Sequence, residues 1–222
     1  MKVAFHTLGC KVNQYESEAL AERFREKGHE IVGESDFADV YIINTCSVTS
    51  LADRKSRQYI RRMKRVNPKS VVAVTGCYSQ VAPDEVAAVE GVNIVTGTNE
   101  KSRLPEYIEK YMAQMEAESE NVFGSCGGAG DSGRKQIIAV KERKDLLGYD
   151  EMGIITSMES RTRAYIKVQE GCDRFCSYCI IPYARGTVRS RAPQDVVAEA
   201  KALIDKGFKE LILTDGFALF LD

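Results

Sequence analysis

The chain has 222 residues, 44% of them apolar, with 31 Lys and Arg residues against 32 Asp and Glu residues. This length and composition permit one domain, or two modest ones, with a buried core. The formal net charge of −1 excludes a protein that is basic overall, so any contact with nucleic acid must use a local cluster of positive charge.

Seven cysteines and two histidines limit the kinds of site that the sequence can form. Seven cysteines are about 3% of the residues, below the density of a secreted disulfide scaffold, and an odd number cannot pair completely. The apolar run after Lys2 is interrupted by His6 and is too short for a signal peptide or a membrane helix. We therefore expect a cytoplasmic protein without membrane contact, whose cysteines are metal ligands or catalytic thiols.

Short apolar runs alternate with amphipathic stretches across residues 1–100. The predicted strands are 3–5, 40–43, 71–74 and 92–95, and the predicted helices are 15–27, 51–66 and one that restarts at Pro83. Strands that alternate with crossover helices form a parallel sheet with both faces covered. The sequence therefore predicts an α/β domain with a flavodoxin-like parallel sheet in this region.

Residues 101–160 are predicted to form a helix followed by a linker. Residues 100–120 are charged and helix-permissive, and residues 121–133 (NVFGSCGGAGDSG) are a Gly/Ser-rich segment without periodicity. Beyond them, strands are predicted at 163–168 and 211–213, with a helix at 193–206 that begins with Pro. These elements indicate the start of a second βα array in residues 161–222.

Three cysteines each follow a predicted strand, and we call Cys10, Cys46 and Cys77 the first cysteine group. The carboxyl ends of parallel strands line one edge of a sheet, where ligands usually bind. Each of these cysteines follows a Gly or a Thr rather than lying inside a strand, which favours a three-thiolate site for a metal or an iron–sulfur cluster. The alternative is that they are three core residues, since cysteine is often buried.

The second cysteine group is Cys172, Cys176 and Cys179, in a Cys-x3-Cys-x2-Cys loop directly after a predicted strand. Three thiolates on a short loop bind three irons of a cubane cluster and leave the fourth iron open for a substrate or cofactor. Zinc is the alternative, although a closed zinc site needs four ligands and no fourth Cys or His is nearby. Tyr178 either stacks on an adenine ring or packs the loop. The remaining thiol, Cys126 in the Gly-rich segment, is interpreted as exposed and dispensable.

The sequence around both cysteine groups resembles the methylthiotransferases of the radical S-adenosylmethionine (SAM) superfamily. The matching segments are HTLGCKVNQYES at 6–17, NTCSVT at 44–49, KSRQ at 55–58, TGCYSQ at 75–80 and QEGCDRFCSYCIIPYARG at 169–186. Lys11 and the VNQYE that follows are similar to the branch that modifies N6-threonylcarbamoyladenosine in tRNA. The other branches modify isopentenyladenosine in tRNA or an aspartate of a ribosomal protein.

The resemblance implies two [4Fe–4S] clusters and SAM as cofactors. The first cysteine group would bind an auxiliary cluster that supplies or carries sulfur, and the second would bind the radical-generating cluster, whose open iron chelates SAM. One SAM would methylate sulfur, and another would yield a 5′-deoxyadenosyl radical that abstracts hydrogen from C2 of the adenosine, where the methylthio group is added. Tyr178 and Arg185 become candidate cofactor-binding residues, and the implied partners are tRNA and a low-potential electron donor.

Basic residues are concentrated in two segments. Residues 54–65 contain seven Lys and Arg and no acidic residue, and a helix there places four arginines on one face: Arg54, Arg57, Arg61 and Arg65. This basic stripe either binds tRNA phosphates or is a solvated outer helix face. Residues 184–191 carry Arg185, Arg189 and Arg191, which are expected to meet substrate phosphate or the SAM carboxylate.

Residues 161–222 are too few for a whole radical SAM barrel. Six βα units of roughly 30 residues need on the order of 180 residues, and this region has 62. We therefore expect a chain truncated after about residue 214, without the family's small RNA-binding β-barrel. Three hypotheses stay open: a truncated methylthiotransferase whose motif residues keep their roles, a non-catalytic iron–sulfur-binding fragment, and an electron-transfer module.

Overall fold

The computed structural model describes residues 1–46, 50–121, 136–156 and 162–214. Cys126 with the Gly/Ser-rich segment, and the residues after 214, lie outside the described residues, so the predictions made for them have no structural counterpart here. Among the described helices, none has the length and apolar character needed to cross a membrane.

The first part of the chain forms a six-stranded parallel sheet with helices on both faces. Its elements are β1 (Lys2–Thr7), α1 (Lys11–Glu26), β2 (Glu30–Val32), β3 (Val40–Thr45), α2 (Ser50–Val66), β4 (Val71–Gly76), α3 (Cys77–Val81), α4 (Pro83–Ala87), β5 (Ile94–Thr96), α5 (Leu104–Asn121) and β6 (Ile137–Ala139). The strand order is β2-β1-β3-β4-β5-β6, and each neighbouring pair is parallel. This order is flavodoxin-like with one added edge strand, so the predicted fold class is confirmed.

Alternating side chains of the central strands pack against different helices. Val40 and Ile42 of β3 belong to the hydrophobic cluster beneath α1 and α5, whereas Tyr41 and Ile43 belong to the cluster beneath α2. Successive side chains of a strand point to opposite faces of the sheet. Because helices cover both faces, β3 and β4 are buried throughout and form continuous apolar runs in the sequence.

Two edge strands, β2 and β6, are absent from the sequence-based prediction. Each is three residues long, which is too short for a period-two pattern to stand out. Strand β6 lies in the stretch assigned to the linker. It nevertheless pairs with β5, and Ile137 is opposite Ile94. The preceding Gln136 donates hydrogen bonds to the carbonyl oxygens of Ala87 and Val92. These long-range contacts, rather than local sequence, place β6 in the first sheet.

The second part of the chain contains a β-α-β unit. Its elements are β7 (Arg163–Lys167), β8 (Gln169–Glu170), α6 (Ile181–Arg185), β9 (Arg189–Ser190), α7 (Pro193–Asp205) and β10 (Glu210–Thr214). Strands β7 and β10 pair in parallel, and Leu203 of α7 packs on Ala164 and Ile166 of β7. This unit is the expected start of the second βα array, in line with a partial radical SAM region.

Candidate functional site

The first cysteine group lies at the carboxyl edge of the first sheet. Cys10 immediately precedes α1, Cys46 directly follows β3, and Cys77 begins α3 directly after β4. Strands β1, β3 and β4 are neighbours in the sheet, so the three turns are adjacent. All three residues are free thiols. The structure therefore brings these cysteines to one edge, while their role as cluster ligands stays a prediction.

A glycine precedes both Cys10 and Cys77, and in both cases the backbone requires it. Gly9 has a φ of +109°, and a Cβ at this position would lie 2.8 Å from the Sγ of Cys46. Gly76 has a φ of +105°, and a Cβ there would overlap the carbonyl oxygen of Thr45. Only glycine combines a positive φ with so close an approach. These two turns therefore hold the cysteines tightly against β3.

Asn13 of α1 joins the turn of Cys10 to the end of β3. Its side-chain amide donates hydrogen bonds of 2.8 Å to the carbonyl oxygen of Leu8 and 2.9 Å to that of Thr45. Its Oδ1 lies 3.8 Å from the Sγ of Cys10. Because Asn13 is fully buried and bonds to both loops, this one side chain sets the separation between the segments that carry Cys10 and Cys46.

Arg185 of α6 reaches from the second part of the chain to the first cysteine group. Its side chain is 1% exposed and donates to Glu16 at 2.8 and 3.2 Å and to the Oδ1 of Asn13 at 2.8 Å. Burial disfavours its charge, but Glu16 and the nearby thiols of Cys77 and Cys10 hold the pKa of Arg185 well above its ordinary value. Direct contact of Arg185 with SAM stays a prediction.

A buried charge network joins the two parts of the chain, and Glu16 of α1 is its centre. The network consists of Glu16, Lys101, Lys167, Glu170, Arg185 and Arg189. Burial alone would raise the pKa of Glu16, but its three cationic neighbours hold that pKa well below its usual range. Glu170 continues the network by accepting hydrogen bonds from Lys167 at 3.0 Å and Arg189 at 2.9 Å. Charges buried in this way are stable only when they are paired.

The sequence analysis did not identify Glu16 as a functional or structural residue. One signal was present, because Glu16 occupies a position on the buried face of α1, between Val12 and Leu20 at helical spacing. An acidic side chain on an otherwise apolar face needs a buried partner. The partners themselves were not predictable, since Lys167 and Arg185 lie more than 150 residues away along the chain.

The other two arginines of residues 184–191 are also buried and bound by carboxylates. Arg189 pairs with Glu170 at 2.9 Å. Arg191 pairs with Glu151 at 2.8 Å and with Glu199, whose carboxylate also accepts a hydrogen bond from Tyr15. In this structure these guanidinium groups therefore connect parts of the chain and do not face solvent, where a substrate phosphate would approach.

The second cysteine group lies on a loop whose first cysteine is anchored to the residue that follows α6. The backbone N–H of Cys172 donates to the carbonyl oxygen of Gly186 at 3.0 Å, and that of Cys179 donates to Cys176 at 2.9 Å. Gly171 has a φ of +80°, and a Cβ there would overlap the carbonyl oxygen of Thr187. The loop exposes the thiol of Cys176, partly exposes that of Cys179 and buries that of Cys172.

The aromatic residues of this loop differ in how they pack. Phe175 has a φ of +48°, which is uncommon for a bulky residue and typical of strained functional loops. Its ring contacts Tyr183 edge-on at 5.8 Å, and the guanidinium of Arg143 lies 4.8 Å from its centre. Tyr178 is 91% exposed, so it does not pack the loop, and its ring face is open to a planar ligand.

A single metal ion and an iron–sulfur cluster require different arrangements of cysteine side chains. Within the described ranges, no three Cys, His, Asp or Glu side chains lie close enough together to hold one metal ion. The zinc alternative needs four such ligands around one ion. In a cubane cluster each thiolate binds a different iron, so the sulfurs lie farther apart than the ligands of a single ion. The absence of such a group among the described residues does not decide between a cluster and zinc at the second cysteine group, so cluster binding stays a prediction.

A cavity next to Cys10 leaves room for a bound group. Its volume is about 840 Å³, and its lining includes Thr7, Gly9, Cys10, Lys11 and Gln14. These residues belong to the end of β1, the turn that follows it and the first turns of α1. Cys10 is exposed, so a group bound to this thiol is accessible from the cavity.

The basic stripe lies on the outer face of α2, which starts near the cysteine edge and runs toward the opposite edge of the sheet. Arg54, Arg61 and Arg65 are exposed, whereas Arg57 is partly buried and bonds to the hydroxyl of Tyr78. At the far end of α2, Arg61 and Arg65 border a second cavity of about 850 Å³. The stripe therefore presents positive charge at Arg54 and at Arg61 and Arg65, and between them Arg57 is paired with Glu85 at 3.9 Å.

Comparison with known protein families gives two matches that follow the two parts of the chain. Residues 2–97 match the family described as "Uncharacterized protein family UPF0004". Residues 166–222 match the radical SAM superfamily. The first match contains the first cysteine group, and the second contains the second group.

Curated relatives contain both regions in the same order. The chain is 45% identical over 212 residues to "Threonylcarbamoyladenosine tRNA methylthiotransferase MtaB" of Bacillus subtilis, covering 96% of this chain and 43% of the relative. The protein of the same name from Aquifex aeolicus is 42% identical, with 96% and 47% covered. A "tRNA-2-methylthio-N(6)-dimethylallyladenosine synthase" of Clostridium novyi is 34% identical, with 93% and 42% covered. The chain spans less than half the length of these relatives.

Proposed function

Because this chain belongs to the radical SAM methylthiotransferase family, we propose that it provides the two cysteine sites of an enzyme that methylthiolates an adenosine of tRNA. The observation that carries this proposal is the contact of Arg185 with Asn13 and Glu16. Arg185 lies six residues beyond Cys179, and Asn13 lies three residues beyond Cys10. Two thiol triplets connected over so short a path suit chemistry that uses both sites on one substrate.

The first cysteine group would hold the auxiliary [4Fe–4S] cluster, and the second would hold the radical-generating one. When bound, the clusters supply the electron that cleaves SAM and the sulfur that is transferred. The chain's own residues would hold the cysteine-bearing segments in place. Gly9, Gly76 and Asn13 keep the first group close together, and the backbone bonds of Cys172 and Cys179 hold the second loop.

Tyr178 is our candidate for SAM recognition. It directly precedes Cys179, and its ring is almost fully exposed, so an adenine bound near the open iron would stack on it. A low-potential electron donor and a reducing compartment are also part of this proposal, because the site requires unpaired thiols and a reduced cluster. We therefore place the activity in the cytoplasm.

The specific substrate that we propose is N6-threonylcarbamoyladenosine next to the anticodon. Two observations support it: the names of the relatives that are 45% and 42% identical, and the Lys11 flank of the first cysteine group. A dimethylallyladenosine-type substrate is the second candidate, favoured by the relative from Clostridium novyi. An aspartate of a ribosomal protein is the third.

Domain boundaries are part of the proposal. We assign residues 1–100 to the cluster-carrying α/β domain, residues 101–160 to a helix and connecting segment, and residues 161–222 to a partial radical SAM domain. Since β6 joins the first sheet, the connecting segment contributes a strand to the first domain. A non-catalytic iron–sulfur-binding role is the alternative function, and the iron content and SAM cleavage of the reconstituted chain distinguish the two.

Anaerobic reconstitution of the full chain tests these proposals. We expect about eight irons per chain, as two cubane clusters require, together with SAM-dependent release of 5′-deoxyadenosine. Cys10→Ala and Cys176→Ala should each remove half of the iron, and Cys126→Ala should remove none. About four irons, lost in Cys10→Ala but retained in Cys176→Ala, with no 5′-deoxyadenosine, would instead establish the non-catalytic role.

The substrate is tested separately with tRNA. Transfer RNAs with and without the threonylcarbamoyl group are offered to the reconstituted chain, and methylthiolated adenosine is measured by mass spectrometry of the digested tRNA. Product from the threonylcarbamoylated tRNA alone supports the proposal. Product from an isopentenylated tRNA alone assigns the chain to the second candidate substrate.

A further inference from the structure

We propose that Arg185 is a positioning residue for the first cysteine group, which it holds through Asn13 and beside which it places a fixed positive charge. The inference rests on the proposed function in one respect, because it takes this group to bind a negatively charged iron–sulfur cluster. It gives Arg185 a role at the first site, although Arg185 follows the cysteines of the second.

The first argument is that hydrogen bonds from both parts of the chain hold the end of α6 in place. The backbone oxygen of Ala184 accepts a hydrogen bond from Thr98 at 2.8 Å. The backbone oxygen of Arg185 accepts one from Arg189 at 2.7 Å. Main-chain contacts on both sides of the guanidinium's attachment point fix where it can reach. The backbone from which the Arg185 side chain extends to Asn13 is therefore fixed by the fold.

The second argument concerns Asn13. Its amide nitrogen donates to the carbonyl oxygens of Leu8 and Thr45, and its amide oxygen accepts a hydrogen bond from Arg185. Both polar atoms of the side chain are therefore hydrogen-bonded. A buried amide with every polar atom bonded has one stable orientation. Without Arg185, the amide oxygen loses this partner, and the spacing between the turn of Cys10 and the end of β3 is less well defined.

The third argument is electrostatic. The buried charge network contains four cations, Lys101, Lys167, Arg185 and Arg189, against the two carboxylates of Glu16 and Glu170. Arg185 also bonds to Asn13, three residues beyond Cys10. Iron bound by the thiolates of the first cysteine group would carry negative charge, and the guanidinium of Arg185 would lie near it. A buried cation is more stable beside an anion.

The experiment isolates the first site. Cys172, Cys176 and Cys179 are all changed to Ala in the full chain, so that only the first group can bind a cluster. In this parent, Arg185→Gln, Arg185→Lys and two matched controls, Arg191→Gln and Arg191→Lys, are compared. Arg191 is equally buried and also binds glutamates, but it bonds to Tyr15, Glu151, Gly153 and Glu199 and not to Asn13. The readouts are iron and sulfide content, the rate of cluster loss to a chelator, and the midpoint potential followed by electron paramagnetic resonance.

We expect Arg185→Gln to bind its cluster about tenfold more weakly, as loss of an outer-shell partner does, and to shift the midpoint potential to a more negative value. The sign follows because removing a nearby positive charge disfavours the more negative, reduced cluster. Arg185→Lys should keep the midpoint potential of the parent, because lysine keeps the positive charge. It should lose the cluster faster than Arg191→Lys does, because an ammonium group cannot donate to Asn13 and Glu16 at once in the way that the planar guanidinium does. Arg191→Gln should leave the potential unchanged.

The inference is overturned if Arg185→Gln has the same midpoint potential as the parent, or if Arg191→Gln shifts the midpoint potential as much as Arg185→Gln does. Either result leaves the proposed function standing. If Arg185→Gln does not fold, the test uses Arg185→Lys. In that case the inference is overturned if Arg185→Lys loses its cluster to the chelator at the same rate as Arg191→Lys. If the parent itself binds no iron while the wild-type chain does, the proposed function of the first group fails, and the inference fails with it.

Discussion

Glu16→Gln tests whether the buried charge network stabilises the fold. Gln keeps the shape of the side chain and removes its charge, so Lys101, Lys167 and Arg185 lose their shared carboxylate while they stay buried. Removing one partner of a buried ion pair costs about 3–5 kcal/mol in free energy of unfolding. For a chain of this size that loss lowers the melting temperature by about 6–20 °C.

The assay is urea unfolding of the metal-free chain at pH 7, followed by circular dichroism. The control is Glu26→Gln, an exposed acid on the same helix, which should change the free energy of unfolding by less than about 0.5 kcal/mol. A loss of less than about 1 kcal/mol in Glu16→Gln, the size expected of a surface ion pair, would refute the reasoning that these charges depend on Glu16.

Four further predictions follow from the same contacts. The stabilisation by Glu16 is present above its ordinary pKa of 4.5 and is lost as pH falls through its lowered folded value, so urea unfolding of wild type and Glu16→Gln should converge in acid. Gly76→Ala should destabilise the chain by more than Gly28→Ala does, since both positions have positive φ but only the first Cβ overlaps backbone; equal urea midpoints would count against the tight turn before Cys77. Tyr178→Ala should leave the melting temperature unchanged and weaken SAM binding in equilibrium dialysis of the reconstituted chain; unchanged binding would remove Tyr178 from the site. Replacing Arg61 and Arg65 by Ala should weaken tRNA binding and lower the number of counterions released on binding by about one to two, as read from the salt dependence of the affinity. The same change at the exposed Lys110 and Lys206 should have neither effect. Equal effects of the two double variants in filter binding would show that α2 contributes only general charge.

Local sequence patterns account for much of the first domain. The apolar runs at β3 and β4 predict buried parallel strands because helices cover both faces of the sheet. The position of Cys10, Cys46 and Cys77 after strand ends predicts that they share one edge, since parallel strands end on the same side. The Cys-x3-Cys-x2-Cys spacing likewise identifies the second group without any knowledge of the fold.

What the sequence determined by itself is therefore the fold class, the two candidate cysteine groups and the family resemblance, because each depends on local patterns, such as a cysteine that directly follows an apolar strand. Only the tertiary structure decided the edge strands β2 and β6, the buried charge network and the position of Arg185. Glu16 and Arg185 are 169 residues apart, and the sequence around each residue does not indicate that the two are paired. A buried charge is stable only with its partner, and which partner it meets is set by the packing of α1 against α6 and β7.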